Sequence, residues 1–183
     1  MSSSWGKAQP MGTYSGATFT PTVGYVPTVS VANNLVILVA QGAGATLWYS
    51  IGVVDTTAST INWSAPIPYS TTGYNPTVSV FGDGSSSTAP GGARVVVEAH
   101  QASNTTGSLT YRAGYLKKGP YGSAPTSITW APDSDTPYSN GCYPSVALAF
   151  WGLSTSGLNL TETHETGCGK VTTIDYSFSV ILD

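Results

Sequence analysis

The sequence predicts an all-β protein made of three imperfect copies of one four-stranded unit. Charged residues make up only 8% of the 183 residues, whereas Gly, Ser, Thr, Tyr and Pro are abundant, a composition typical of short strands joined by many turns. No stretch keeps a helical hydrophobic period, so helix should be nearly absent. Apolar residues make up 40%, enough for a packed core, and the length fits a single domain over residues 1–183.

A turn followed by alternating apolar residues recurs three times and marks the first strand, strand a, of each unit. It reads GYVPTVSV at residues 24–31, GYNPTVSV at residues 73–80 and GCYPSVAL at residues 141–148. The alternation is that of a half-buried strand, and proline stands at the strand entry, where it costs few ladder hydrogen bonds. The repeat units therefore span about residues 24–72, 73–140, and 141–183 together with 1–23.

Three further strands are predicted in each unit. Strand b falls at residues 36–41, 95–101 and 158–165, and strand c at residues 47–53, 109–115 and 174–180. Strand d falls at residues 60–63 and 127–130, ending in Trp63 and Trp130. The third unit has no strand d of its own after strand c, so the N-terminal segment ending in Trp5 is expected to supply it.

Four consecutive antiparallel strands per unit, repeated with recurring aromatic and glycine positions, are typical of β-propeller blades. An N-terminal strand that completes the last blade suits a ring, because it removes an exposed edge. The predicted fold is thus propeller-like, with three four-stranded blades per chain. A β-trefoil, which also repeats four strands three times, is the alternative.

The charge pattern excludes several partners. With 6 basic and 9 acidic residues the net charge is −3, so no basic face is expected for nucleic acid or anionic lipid. The most apolar run, residues 35–40, is too short to cross a bilayer, and residues 1–5 lack the features of a signal peptide. We expect no membrane insertion, and a protein that is cytoplasmic or released without a signal peptide.

The motifs of the second unit resemble the repeat of the PLL-type lectins, the Photorhabdus lectin family. They read G-Y-x-P-T-V in strand a, V-E-x-H-Q in strand b, L-x-Y-R-x-G in strand c and I-T-W in strand d. The resemblance touches all three units, although unit one has Leu38 and Ala40 where unit two has Glu98 and His100, and this chain has three units where that family has seven blades. It implies a propeller that binds fucose or related neutral sugars at repeated sites between blades.

Antiparallel strand directions predict where the candidate binding residues meet. Strand a begins, strand b ends, strand c begins and strand d ends at one rim of the unit. Sugars are bound by an aromatic ring against their C–H face and by fixed polar groups around their hydroxyls. The candidate ligand-binding residues are Trp5, Trp63, Trp130, Tyr74, Glu98, His100, Gln101, Tyr111, Arg112, Glu162 and His164.

Each candidate also has a structural interpretation. The recurring Trp residues would serve equally as core packing between units or as sugar platforms. The Glu98–His100 and Glu162–His164 pairs, each on one strand face, are either paired structural groups or part of a site, because such groups need partners when buried. Cys142 and Cys168 belong to one unit and should lie at one rim, where a disulfide can form under oxidising conditions.

The polar groups recur by repeat and form no asymmetric catalytic set, so we expect no enzyme, no cofactor and no metal site. A module that recognises a protein surface, as in a structural or toxin component, is the alternative function, and a glycan-acting hydrolase is a further one. Three wedge-shaped blades cannot close a circle, so a head-to-tail homodimer forming a six-bladed ring is expected.

Overall fold

The computed structural model describes residues 27–70, 72–82, 94–105, 107–116, 124–131, 136–150, 158–168, 170–172 and 178–180. Within these ranges there are thirteen strands and one short 3₁₀ turn at Ala43–Ala45. No helix in this part of the chain is long and apolar enough to cross a membrane. The all-β class is confirmed, and all strand pairs are antiparallel.

Unit one forms a five-stranded sheet in which the first four strands lie side by side in sequence order. The strands are β1 (Thr28–Ala32), β2 (Leu35–Gln41), β3 (Leu47–Asp55), β4 (Thr60–Trp63) and β5 (Ile67–Ser70). The order is β1-β2-β3-β4, which corresponds to predicted strands a to d, and β5 pairs with the first residues of β3. Strand β2 is buried along its whole length, as its uninterrupted apolar sequence requires.

Units two and three share an eight-stranded sheet. Its strands are β6 (Tyr74–Phe81), β7 (Arg94–Gln101), β8 (Gly107–Leu116), β9 (Thr129–Trp130), β10 (Thr136–Phe150), β11 (Leu158–Gly167), β12 (Lys170–Thr172) and β13 (Phe178–Val180). Strands β6 to β9 pair in sequence order as strands a to d of unit two. The long strand β10 pairs through its first half with β8 and through its second half with β11, and so joins the two units.

The structure departs from the predicted strands in two places. Of predicted strand c of unit three, residues 174–180, the structure describes only the last three residues, as β13, which pairs with β11. Strand β12, which precedes the predicted range and also pairs with β11, was not predicted. Strand β5 was not predicted, because four residues carry too little periodicity to signal a strand. The predicted N-terminal strand around Trp5 lies outside the described residues.

A β-bulge recurs just before strand a of units two and three. Trp48 pairs with Pro68 and Leu47 pairs with Ser70, so Tyr69 is the extra residue between them. Tyr138 is the extra residue in the same way between Pro137 and Ser139 on β10. A bulge changes the direction of the side chain of its extra residue. Both tyrosines therefore depart from the regular alternation of their strand, at a junction between units.

The hydrophobic core lies in two layers on either face of unit two. The first cluster joins unit one to unit two and contains Leu35, Ile37, Val39, Tyr49, Ile51, Val78, Val80, Val96, Leu116 and Ile128. The second joins unit two to unit three and contains Val95, Val97, Ala99, Ala113 and Val146. Alternation along β7 sends successive valines to opposite faces, so the units pack face to face with unit two in the middle.

The same hydrogen bonds connect successive units. The Ser30 hydroxyl accepts from the Val80 N–H at 3.0 Å, and the Ser79 hydroxyl, one unit later, accepts from the Leu148 N–H at 2.9 Å. These bonds explain why serine recurs in strand a, since its hydroxyl accepts from a backbone N–H of the next unit.

A second repeated bond runs from the end of strand b to the turn before the next strand a. The Gln41 Oε1 accepts from the Asn75 N–H at 3.3 Å, and the Gln101 Oε1 accepts from the Tyr143 N–H at 2.9 Å. Glutamine at the end of strand b therefore has a structural function at both junctions.

A disulfide joins Cys142 on β10 to Cys168 just after β11, with Cα atoms 5.3 Å apart. The bridge ties strand a of unit three to the end of its strand b, at the rim where the sequence placed both cysteines.

Candidate functional site

A cleft of about 610 Å³ opens between unit one and unit two. Unit one contributes Thr46, Pro68, Tyr69, Ser70 and Thr72, and unit two contributes His100, Ala102, Thr110 and Arg112. Four of these residues carry hydroxyls on short side chains, and the others include an imidazole, a guanidinium and the ring of Tyr69, whose hydroxyl is buried. The volume falls within the range of small-molecule sites, and the lining offers hydrogen-bonding groups of several kinds.

A chain of three hydrogen-bonded polar side chains runs from one wall of the cleft into the interior. His100 Nδ1 lies 3.1 Å from Glu98 Oε2, and its Nε2 lies 2.9 Å from Thr110 Oγ1. Alternation places Glu98 and His100 on one face of β7, and the ladder sets His100 opposite Thr110. When the ring is neutral, Nδ1–H donates to the Glu98 carboxylate and Nε2 accepts from the Thr110 hydroxyl, whose lone pairs then remain available for a ligand.

Glu98 is fully buried behind His100 and does not line the cleft. It lies directly opposite Arg112 in the ladder between β7 and β8. The carboxylate thus orients the imidazole and faces the neighbouring strand's cation, which is how a protein tolerates a buried charge.

Arg112 connects the cleft to the aromatic groups behind it. Its guanidinium lies 5.5 Å from the centre of the Tyr69 ring and 6.0 Å from that of Trp130, and its Nη1 donates to the Tyr69 carbonyl. The Tyr69 and Trp130 rings are 5.4 Å apart. This stack fixes both the guanidinium and the bulged tyrosine at the cleft wall.

The recurring glycine before strand a packs directly against the histidine. A Cβ atom on Gly73 would lie 2.8 Å from His100 Cδ2 and closer still to Leu47 Cδ1, and one on Gly141 would come closest to His164 Cδ2. Contacts that close leave no room for a side chain, so glycine is required at both positions for a steric reason.

The recurring tryptophans occupy packing positions. Trp63 lies opposite Gly52 and Trp130 opposite Gly114, with the ring in each case covering the glycine. Trp130 also packs against the first core cluster. The predicted convergence of Trp130 with the other rim residues is wrong, because β9 ends opposite Gly114, several residues along β8 from Thr110.

The remaining predicted residues of unit two do not line the cleft. Tyr111 lies on the other face of β8 and contacts Tyr138, with ring centres 6.0 Å apart. Gln101 holds the turn of unit three through its bond to Tyr143, and Tyr74 pairs with Gln101 at the start of β6. Trp5 lies outside the described residues. Of the eleven predicted candidates, His100 and Arg112 line the cleft, while Glu98 and Trp130 support them from behind.

The junction between units two and three repeats part of this arrangement. His164 Nδ1 lies 2.9 Å from Glu162 Oε2, and its Nε2 lies 3.4 Å from the Ser139 hydroxyl. His164 is paired with Thr172 in the ladder, as His100 is with Thr110. The Glu–His pair and its neighbouring hydroxyl therefore occur twice, once at each junction.

Tyr138 is the counterpart of Tyr69 at this second junction. Burial, and then the charge of the Glu162 carboxylate and a hydrogen bond to it, raise the pKa of Tyr138 well above its ordinary value of 10.0. The phenol therefore stays protonated beside the carboxylate.

Sequence reasoning missed Tyr69 and Thr110, which line the cleft together with the predicted His100 and Arg112. One signal for the tyrosine was present, since Pro-Tyr-Ser occurs at residues 68–70 and again at residues 137–139. Thr110 stands next to the predicted Tyr111 and had no such signal.

No group of three or more His, Cys, Asp or Glu side chains in the described part of the chain could hold a metal ion. Compared with protein-family models and with curated protein sequences, the chain shows no match.

Proposed function

We propose that this protein is a carbohydrate-binding protein, without enzymatic activity, that recognises neutral sugars in clefts between its repeat units. The observation that carries the proposal is the cleft between units one and two, where hydroxyls, an imidazole and a guanidinium surround a bulged tyrosine. The resemblance to the PLL-type lectins makes fucose the favoured ligand.

The chemistry of the lining favours a polyhydroxylated ligand. Arg112 supplies donors in a fixed orientation, and Thr110 supplies acceptor lone pairs while its proton is engaged by His100. Tyr69 supplies an aromatic surface at the same wall. The Glu98 carboxylate, buried opposite Arg112, offsets the guanidinium charge, so the cleft favours neutral over anionic sugars.

The repetition of the Glu–His pair at the second junction supports multivalent binding. Weak sites that recur on one molecule raise the strength of attachment to a surface that displays many copies of the ligand. We infer that the units act as blades of a propeller-like fold, with one sugar site at each junction.

A hydrolase is less compatible with this geometry. Retaining and inverting glycosidases need two carboxyl groups flanking the scissile bond. The described residues that line the cleft include no carboxyl group, and Glu98 lies behind His100.

The decisive experiment is a broad glycan array followed by calorimetry with the sugar found. We expect binding to fucose-containing or related neutral glycans, with millimolar to micromolar affinity per site and stronger attachment to dense surfaces. Absence of binding to every glycan by the folded protein would refute the proposal, and binding to a protein partner instead would favour the alternative of a protein-recognition module.

The cleft itself is tested with Thr110→Val, which removes the hydroxyl and keeps the shape. Loss of one hydrogen bond should weaken sugar binding by about threefold to tenfold, and the melting temperature should also fall, because the buried His100 Nε2 loses its partner. The matched control is Thr129→Val, on exposed β9 outside the cleft, which should leave affinity unchanged. Equal affinities for both variants would place the sugar elsewhere.

A further inference from the structure

Strand a exposes different faces in the first and last units. In unit two Val78 and Val80 face unit one and are only 5% and 6% exposed. Val29 and Val31 hold the same two positions in unit one, and they are 57% and 58% exposed. The face that a preceding unit covers in the middle of the molecule is therefore open on β1.

The opposite face of strand a shows the complementary pattern. In unit two Thr77 and Ser79 are buried against unit three, and the Ser79 hydroxyl accepts from the Leu148 N–H. In unit three the equivalent residues, Ser145 and Ala147, are exposed. Unit three thus presents the surface that, in units one and two, receives the strand a of the following unit.

We propose that β1 of one chain docks against strand a of unit three, residues 141–148, in a second copy of this chain. The contact repeats the strand a part of the internal junctions, which supplies both its register and its direction. Because the two faces differ, the association is head to tail, and two such contacts related by a two-fold axis close a ring of six units. This specifies the surface of the homodimer that the sequence predicts.

The contact is centred on β1, because Val36 and Leu38, which lie on the same face of unit one, are already buried. It also lacks one bond of the internal junctions. Ala147 stands where Ser30 and Ser79 accept a hydrogen bond from the next unit, so nothing at that position can accept from the Val31 N–H of the second copy. The dimer should therefore be weaker than an internal junction and should depend on concentration.

The missing hydroxyl provides a test in which binding is gained. The change Ala147→Ser should let the side chain accept from Val31 of the second copy and tighten the dimer by about threefold to tenfold, the value of one added hydrogen bond. The double change Val29→Glu and Val31→Glu should loosen it by more than about tenfold, because it places unpaired charges in the contact. The matched control is Ile61→Glu, an exposed apolar residue on β4, which should leave the dimer unchanged.

Sedimentation equilibrium of the full chain without sugar measures all four proteins. A dimer that responds in these directions supports the proposal independently of any ligand. It is overturned by a wild-type chain that stays monomeric at the highest attainable concentration, by a dimer indifferent to the β1 charges, or by an Ala147→Ser variant that associates no more tightly. If the chain is a monomer and the charges on β1 make it unfold more easily, another part of the same chain covers β1. That result would overturn the proposal as well.

Discussion

At the scale of single residues, the histidine at each junction is held from three sides. His100 contacts Glu98 through Nδ1 and Thr110 through Nε2, and Gly73 closes over the edge of the ring. His164 has Glu162 and Gly141 in the corresponding places. A side chain that is fixed in this way loses little entropy when a ligand binds, which suits a preformed site.

The close approach of glycine to histidine gives a residue-scale prediction. Gly73→Ala should displace both Leu47 and His100, the two side chains that the added methyl group would meet, and lower the free energy of unfolding by about 1 to 3 kcal/mol, the usual effect of overpacking. Sugar affinity should fall with it. Chemical denaturation and calorimetry measure the two effects.

Two controls separate steric conflict from a general effect of losing glycine. Gly167→Ala has open space around its Cβ position and should lower the free energy of unfolding far less. In a protein that already carries His100→Ala, the Gly73→Ala change should lower the free energy of unfolding by less, because the two positions are in contact. An unchanged cost in that background would show that the histidine is not what the added methyl group meets.

At the scale of elements, β10 is the strand on which unit three depends. It pairs with β8 of unit two and with β11 of its own unit, and the Cys142–Cys168 disulfide fixes it to the end of β11. Unit one has no cysteine in its strands, and its corresponding strand b ends in Gln41, which bonds to the turn of unit two.

Reduction of the disulfide should therefore destabilise unit three. The bridge closes a loop of 26 residues in sequence separation, for which the loss of unfolded-chain entropy predicts about 3 to 4 kcal/mol of stabilisation as an upper value. Denaturation with and without reductant measures it. The double variant Cys142→Ala and Cys168→Ala should be insensitive to reductant, and a wild-type protein equally insensitive would contradict this interpretation.

At the scale of the whole molecule, stability should fall at alkaline pH because two buried phenols join neighbouring units. Burial raises the pKa of Tyr49, opposed by the bond its oxygen accepts from the Ile128 N–H, and burial together with Glu162 raises the pKa of Tyr138. Below the ordinary value of 10.0, both states hold the proton. Above it the unfolded chain loses the proton first, so rising pH favours unfolding.

Each such tyrosine should lower the free energy of unfolding by at most about 1.4 kcal/mol for every pH unit above about pH 10. Tyr138→Phe should make the decline between about pH 10 and about pH 11.5 visibly shallower, as followed by denaturation at several pH values. The comparison variant is Tyr143→Phe, which changes an exposed tyrosine. If the two variants decline with the same slope, Tyr138 is not responsible for the alkaline effect.

Local patterns in the sequence were sufficient for the strands and for part of the site. The alternation of the three strand a motifs located β1, β6 and the second half of β10, and the recurrence of Glu-x-His identified the pairs that the structure buries. Both depend on residues close together in the chain, for which strand periodicity is a reliable guide. The short strands β5 and β12 were not predicted from the sequence, because they exist only through pairing with longer neighbours.

The sequence by itself determined the all-β class and the residue types available for binding. Only the tertiary structure decided which of them meet. The cleft brings Tyr69 of one unit to Arg112 of the next, 43 positions away, through a bulge that no local pattern signals. Face-to-face packing of the units also places Trp130 against the core and Thr110 at the cleft. A strand's period specifies two faces, but which neighbour covers each face depends on contacts between distant segments of the chain.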